Sequence, residues 1–459
     1  MIFAYVKNVC NQILLQPVIH HMRRASNKTK IMNREEAEKI LSLIKREVIP
    51  AIGCTEPAAV ALAVAKAKEV LAEAPVRTEV WLSANILKNS MGVGIPGTGM
   101  IGLPIAIALG LVIGKSAYGL EVLKDLDEET LEQAKKIVEE QTLSVNLKEH
   151  SPDKLYIEAC CHSASSVSKA IVCGSHTNIS YVERNGEVLM NTLTHEVKGG
   201  YKEEYPEMTF GTVYEFATET PAEDLQFILK AAELNKTAAN ESKNGDYGHS
   251  VARVLNSGAH KDIMGDSLFS RIISVTASAC DVRMAGAMIP VMSNSGSGNQ
   301  GITATLPVVV FAEETGKTNE ELIRALTLSH LMSIYIKHNL GRLSGLCGVI
   351  VAAIGASCGI TYLMGGSREQ IASSVKNMIG NITGVICDGA KPSCALKVSS
   401  AVSTAVISSM MAMDNKVVSS LEGIADDDVD RTIRNLTDIG SEGMTQTDQM
   451  VLDIMTRKK

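Results

Sequence analysis

From Leu343 to Gly366 the chain carries no charged residue, and the stretch is long enough to cross a bilayer. Six glycines interrupt it, and only single arginines, Arg342 and Arg368, flank it. Ala401 to Met413 is uncharged as well. Several such segments, in a chain with 21% charged residues, point to helices buried on all sides rather than to lipid-facing spans. Aromatic residues make up only 4%, so Ala, Val, Ile, Leu and Met must fill the core, which suits closely packed helices. The 459 residues allow two or three domains. A net charge of −7 without a basic stripe argues against nucleic acid as the main partner.

Hydrophobic spacing predicts an amphipathic helix over 34–48 and an Ala- and Val-rich helix over 58–71. Residues 85–98, punctuated by glycine, read as loop. An apolar helix follows over 101–113, then a charged, solvent-facing helix over 120–140. The texture then changes to strands over 154–160, 168–173, 177–183 and 187–190, the last two flanking the Asn185-Gly186 hairpin signal. Helices return after Pro221 and continue to the end. The expected fold class is therefore α+β, a large mainly helical catalytic domain with a small inserted β-containing module. Residues 1–31 form an N-terminal extension expected to be poorly ordered, since Met32 looks like a natural start. Residues 32–144 are the first helical piece, 145–220 the inserted module, and 221–459 the second helical piece.

Ten cysteines, five of them between Cys280 and Cys394, do not resemble a disulfide scaffold. Without a secretion signal the expected compartment is the cytoplasm, where thiols stay reduced and become candidates for metal binding or catalysis. Cys347 follows Ser344-Gly-Leu, and Cys387 and Cys394 lie seven apart around Gly389 and Pro392. Such a loop can turn two thiolates toward one point, and iron–sulfur clusters need soft thiolates held in this way. Spacing alone also allows small buried core residues. Cys160, Cys161 and Cys173 read as strand residues, while Cys280 and Cys358 could be either packing or site residues. His330 and His338 lie on a helical stretch and read as structural.

Several of these segments resemble known families. Cys347 to Cys358, running on to Gly365-Gly-Ser-Arg-Glu-Gln370, resembles the α domain of the bacterial iron–sulfur L-serine dehydratases. Met378 to Cys387 is similar to that family's next segment, and Ser293-Asn-Ser-Gly-Ser-Gly-Asn299 to its Thr-Asn-Gly-Ala loop. Ile52-Gly-Cys54-Thr-Glu-Pro57, Asn89-Ser-Met-Gly-Val-Gly-Ile-Pro-Gly-Thr98 and Cys280-Asp-Val-Arg-Met-Ala-Gly286 resemble the L-cysteine desulfidases more closely. The likeness runs from about residue 34 to the end. It implies a 4Fe–4S cluster on Cys347, Cys387 and Cys394, with one iron open to substrate. The loop between Cys387 and Cys394 is shorter than in the serine dehydratases. Those enzymes can also present a cysteine near their C-terminus to the cluster. No cysteine follows Cys394 here, so an open iron, or a ligand from elsewhere such as Cys54, is the expected alternative.

The resemblance implies β-elimination from L-cysteine, giving pyruvate, ammonia and hydrogen sulfide, or from L-serine, giving pyruvate and ammonia. A non-enzymatic iron–sulfur redox sensor is the remaining alternative. Elimination needs a stabilised leaving group, a base for the α-proton and a hold on the carboxylate. Cys54 is the candidate base. Gly53-Cys54-Thr55-Glu56-Pro57 reads as a helix start with Thr55 as cap, where a thiolate would be favoured. The carboxylate could be cradled by Ser293, Asn294, Ser295 and Asn299, or by Asn89, Ser90 and Thr98, with Arg283 or Lys391 as cation. Each of these also suits an ordinary loop or ion pair. Ser175-His176-Thr177 reads as a turn. The expected partner is a small amino-acid substrate, with no nucleic acid and no membrane, and a homodimer is left open.

Overall fold

The computed structural model describes residues 33–193, 205–341 and 343–457. The expected N-terminal extension, 1–31, lies outside them. Within 34–459 the helices and strands form one unit.

Helix α1 (Arg34–Glu47) buries Ile40, Leu43 and Ile44 along one face and carries acidic residues in its first turn and basic ones in its last, as a helix dipole favours. Strand β1 (Pro50–Ile52) leads into α2 (Thr55–Leu71), which is buried on nearly every side. After β2 (Arg77–Leu82), residues Ala84–Ser90 form a short helix, α3, rather than loop. Helix α4 (Leu103–Val112) is the expected apolar helix. The predicted long helix over 120–140 is instead a tight turn at Ser116–Glu121 followed by α5 (Glu128–Glu139). Asp127 starts α5 by accepting the Thr130 amide, while the Thr130 side chain bonds back to the cap.

Strands β3 (Leu143–Leu147), β4 (Tyr156–His162), β5 (Val167–Cys173), β6 (Ile179–Arg184) and β7 (Glu187–Asn191) join β2 in one sheet of order β3-β2-β4-β5-β6-β7. Only the β2–β3 pair is parallel. Asn185 and Gly186 close the β6–β7 hairpin with φ of 51° and 84°, as a type I′ turn requires. The sheet does not stop at the 145–220 boundary, because β2 comes from upstream and sits between β3 and β4. Val60, Val64 and Leu71 of α2 share a core with Val80, Leu82, Ile157, Ala170 and Val172 of the sheet. Strands β4, β5 and β6 pack on α2 and would expose an apolar face without it, so the segment is packed as part of the larger body.

The second half is helical: α6 (Phe210–Glu219), α7 (Leu229–Glu241), α8 (Leu268–Met284), then strand β8 (Pro290–Met292), α9 (Gly298–Glu314), α10 (Asn319–Leu340), α11 (Gly348–Leu363), α12 (Arg368–Ile382), α13 (Cys394–Met413), α14 (Val429–Asp438) and α15 (Thr445–Thr456). Helices thus return at Phe210, before Pro221. Helix α11 lies at the centre, packed against α9, α10, α12 and α13. A side chain at Gly355 would place Cβ 2.2 Å from the Ser329 carbonyl oxygen of α10, and one at Gly359 would place it 2.9 Å from that of Ala325. The glycines therefore let two helices approach at backbone distance, which is why the uncharged run is glycine-rich. Of the two uncharged stretches, the first supplies only the short α11. Among the described residues one helix, α13, is long and apolar enough to cross a membrane, and it packs against α8, α11 and α12. Strand β8 pairs antiparallel with β1, which brings the turn at Cys54 beside the loop at Ser293.

Candidate active site

The first centre is built at the start of α2. Gly53 has φ +70°, and a Cβ there would meet the Pro96 ring at 2.3 Å, so the turn out of β1 needs glycine. The cap position belongs to Cys54, not Thr55, and its side chain makes no cap hydrogen bond. Its Sγ donates instead to Glu56 Oε2 at 2.9 Å. Thr55 Oγ1 lies 3.0 Å from the same oxygen and 2.9 Å from the Gly296 carbonyl, and Asn89 Nδ2 donates to Glu56 Oε1 at 3.1 Å.

Burial would raise the Glu56 carboxyl, but the charge of His176, the Cys54 hydrogen bond, its own amide and Arg283 together hold it below the ordinary range. Cys54 goes the other way. Burial, then the Glu56 charge, push its thiol well above the ordinary value, with Arg283 opposing. The helix-start preference for thiolate is outweighed, and the resting protein holds a thiol facing a carboxylate.

Arg283 buckles this turn to the Ser293 loop, donating to Gly53 O at 2.9 Å and to Asn299 Oδ1 at 3.0 Å. The loop's own polar side chains are turned inward. Ser293 Oγ donates to Ile49 O, Ser295 Oγ to Asn294 Oδ1, and Asn294 Nδ2 meets both Nδ1 and the carbonyl of His330. Thr98 is used likewise, donating to Ile95 O at 2.8 Å and accepting the Met100 amide at 2.9 Å. Ser293, Asn294, Ser295 and Thr98 therefore shape loops. Asn89 and Ser90 differ, for Asn89 Oδ1 and Ser90 Oγ are buried without a hydrogen-bond partner among the described residues. Buried polar atoms of this kind are costly unless a ligand or water meets them.

The second centre contains the cysteines. Segments 345–347 and 385–387 run antiparallel, with the Cys347 amide on Val385 O at 3.0 Å and the Cys387 amide on Gly345 O at 2.7 Å. Cys347 caps α11 and Cys394 opens α13. Between Cys387 and Cys394, Asp388 braces the loop through ion pairs with Lys391, at 2.5 Å, and Lys397. Lys391 also donates to the carbonyls of Asp388 and Gly389. It is thus a brace for the cysteine loop, not a free cation. Gly389, at φ +91°, would bring a Cβ within 2.2 Å of Lys88 O, so this loop lies directly on α3, whose next residue, Asn89, holds Glu56.

Cys347 and Cys394 are both raised in part by the Cys387 thiol. Burial, then Cys387 and Cys394, push Cys347 up to about 12. Burial is also the main cause that raises Cys394, with Cys387 adding to it. Amides of Val349 and Lys391 are directed at the sulfurs of Cys347 and Cys394. Cys280 is near as well, raised by burial and then by Cys394. Among the described residues no three His, Cys, Asp or Glu side chains are close enough to hold a single metal ion. In a four-iron cluster each thiolate binds its own iron, so a wider spacing is required. Thiols that share one buried place, with amide donors toward sulfur and few protein partners, suit such a group. Cys160, Cys161 and Cys173 lie on β4 and β5, away from both centres.

Three functional candidates were not assigned from the sequence. Glu56 stood inside the Cys54 motif but had no role. His176 does lie in a turn, yet it is buried and its charge acts on Glu56. Lys337, near the end of α10, is 6% exposed. Burial lowers its ammonium to about 8, against the pull of Cys387, Cys347 and Glu56. It is the single Asp, Glu, Lys or Arg between Ala325 and Gly341, a signal that could have flagged it.

Comparison with known proteins fits this picture. Residues 117–453 match the family model described as serine dehydratase alpha chain. A UPF0597 protein of Bacteroides fragilis is 61% identical over 428 residues, covering 93% of this chain and 100% of the relative. One from Phocaeicola vulgatus is 60% identical over 427 residues, with 93% and 99% covered. One from Oleidesulfovibrio alaskensis is 46% identical over 429 residues, with 93% and 100% covered. Over nearly three quarters of its length, including all three cysteines and Lys337, the chain belongs to the serine dehydratase alpha chain family.

Proposed function

We propose that the protein is an iron–sulfur-dependent lyase that eliminates sulfide from L-cysteine, giving pyruvate, ammonia and hydrogen sulfide. The observation that carries this reading is the shared use of α3. One side of it meets the loop between Cys387 and Cys394, and its Asn89 meets the carboxylate that faces Cys54. This sharing of α3 supports a reading in which the proton-handling pair and the thiol set act on one substrate.

Cys347, Cys387 and Cys394 would hold a 4Fe–4S cluster, which when bound supplies an iron with an open position as Lewis acid for the leaving sulfur or oxygen. The chain's own residues do the rest. In the resting protein the thiol proton lies on Cys54, hydrogen-bonded to Glu56 Oε2 at 2.9 Å, and the base that takes the substrate α-proton is the Cys54 thiolate left once that proton is given up. The Cα–H electrons form the Cα–Cβ double bond as the Cβ–S bond breaks. The resulting 2-aminoacrylate tautomerises to an imine, which water hydrolyses to pyruvate and ammonia. Asn89 Oδ1 and Ser90 Oγ, buried without partners among the described residues, can meet the amino or carboxyl group.

L-Serine is the second reading, supported by the family match. Hydroxide then leaves in place of sulfide, by the same proton path. Anaerobically purified protein, assayed for sulfide and pyruvate with each amino acid, tests both. The expected result is brown protein that forms pyruvate and sulfide from L-cysteine. Pyruvate from L-serine alone would select the second reading. Brown protein inert toward both would overturn the lyase assignment in favour of an iron–sulfur sensor.

A further inference from the structure

We infer that Lys337 is the anchor for the substrate carboxylate, an assignment that rests on the lyase reading above. The other cations near the two centres already have partners. Lys88 pairs with Asp448 at 2.5 Å. Arg283 donates its two outer nitrogens to Gly53 O and Asn299 Oδ1, and its Nε, buried without a hydrogen-bond partner among the described residues, is walled by Gly298, where a Cβ would fall 2.2 Å away. Lys391 and Lys397 both hold Asp388. Lys337 is buried, as Lys88 and Arg283 are and Lys391 and Lys397 are not, and among the described residues its ammonium makes no hydrogen bond and no ion pair. Glu56 already receives Cys54, Thr55 and Asn89.

Helix geometry places it. His330, which holds Asn294 of the Ser293 loop, lies seven residues before Lys337, so both project from one face of α10 two turns apart. At the far end of that face the chain leaves α10 and reaches Cys347 within a few residues. Gln300, from the same loop, abuts the start of α11, since a Cβ on Gly348 would fall 2.1 Å from Gln300 Oε1. The electrostatic neighbours of Lys337 are Cys387, Cys347 and Glu56, which favour its charge, and Lys154, which opposes it. A substrate whose leaving group faces the thiols and whose α-proton faces Cys54 would bring its carboxylate to this ammonium. Charge burial is unfavourable without a counterion, and a substrate carboxylate supplies one.

The test uses holoenzyme carrying Lys337→Gln, Lys337→Arg or Lys337→Met, with two inhibitors as probes. One is 3-mercaptopropionate, a thiol with a carboxylate, and the other is cysteamine, a thiol without one. The expected result is that Lys337→Gln and Lys337→Met weaken L-cysteine (as KM) and 3-mercaptopropionate on the order of 100-fold. Cysteamine inhibition, iron content and the visible spectrum stay unchanged, and Lys337→Arg recovers part of the loss. Thermal midpoints equal to or above wild type are expected, because an unpaired buried charge is removed. Equal weakening of both thiols, or loss of iron, would overturn the anchor and assign Lys337 to the cysteines. If one variant fails to fold, the other two carry the same comparison. The two readings fail separately. Wild type that turns over neither amino acid but binds 3-mercaptopropionate through Lys337 loses the lyase and keeps the anchor. Turnover of L-cysteine with an unchanged KM in Lys337→Gln does the reverse.

Discussion

The two centres on either side of α3 are built on opposite principles. Around Glu56 the carboxylate is saturated, with donors from Cys54, Thr55 and Asn89. Around Cys347, Cys387 and Cys394 the sulfurs are buried or half-buried with little protein bonding beyond the Val349 and Lys391 amides; Cys394 Sγ donates to Gly389 O at 3.6 Å. A saturated network fixes a proton's position, whereas thiols with few protein bonds keep their sulfurs available as soft ligands. The Glu56 carboxylate is thus fully hydrogen-bonded as folded, whereas the cysteine sulfurs are left with few bonds of their own, as the cluster proposed for them would require.

The sharpest break of this contrast is Cys347→Ala. It should abolish the brown colour and lower turnover by about 10³-fold or more, since Lewis-acid stabilisation is worth several kcal/mol. Iron analysis and sulfide release measure both. Cys54→Ala should lower kcat by roughly 10² to 10⁴-fold, the usual contribution of a general base, while iron content and spectrum remain those of wild type. Loss of iron in Cys54→Ala would instead make Cys54 a cluster ligand and merge the two centres.

A smaller effect is expected from Asp388→Asn. Asp388 is held down to about 2 because Lys391 and Lys397 outweigh the burial that would raise it. Removing its charge frees both lysines and slackens the loop between Cys387 and Cys394. Iron retention against a chelator should weaken about 10- to 100-fold, as for other groups that orient metal ligands. The same substitution should leave Cys54 chemistry in reloaded protein close to wild type.

The smallest effect concerns pH. Glu56 sits below its ordinary value of 4.5 in the folded protein, so folding is favoured by its ionised form. That contribution is complete above 4.5 and is lost as pH falls from there through the lower folded value. Wild type should therefore lose part of its thermal stability over this acid range, and Glu56→Gln should lack that part of the slope. An unchanged slope in Glu56→Gln would mean that the carboxylate is no better stabilised than in the unfolded chain.

Much of the frame was legible in advance. Period and composition mark α1, α2 and α4, and Asn185-Gly186 marks its hairpin, because these signals are local. The α+β class follows from them. The boundary of the β segment was not legible, since β2 joins the sheet from far upstream and strand pairing is decided by the partner available. Short α3 was missed for a related reason. Its residues are buried by neighbours and not by any periodicity of their own. Among site residues, Cys54 and the three cysteines stand out by motif, while Arg283 and Lys391 are nameable as cations with no way to see that Lys391 is ion-paired and that Arg283 already holds Gly53 and Asn299.

The sequence by itself determined the kinds of group present: thiols in glycine-rich surroundings, a cysteine at a helix start, and a central helix with small residues where another must approach. Residue identity and near-neighbour spacing suffice for that. Only the tertiary structure decided which charges are already spent. Arg283, Lys88, Lys391 and Lys397 find partners far away or across a loop, and Lys337 finds none among the described residues. Long-range burial and Coulomb interaction depend on distances through space, so the protonation of Cys54, the charge of Glu56 and the availability of Lys337 exist only once the chain has folded.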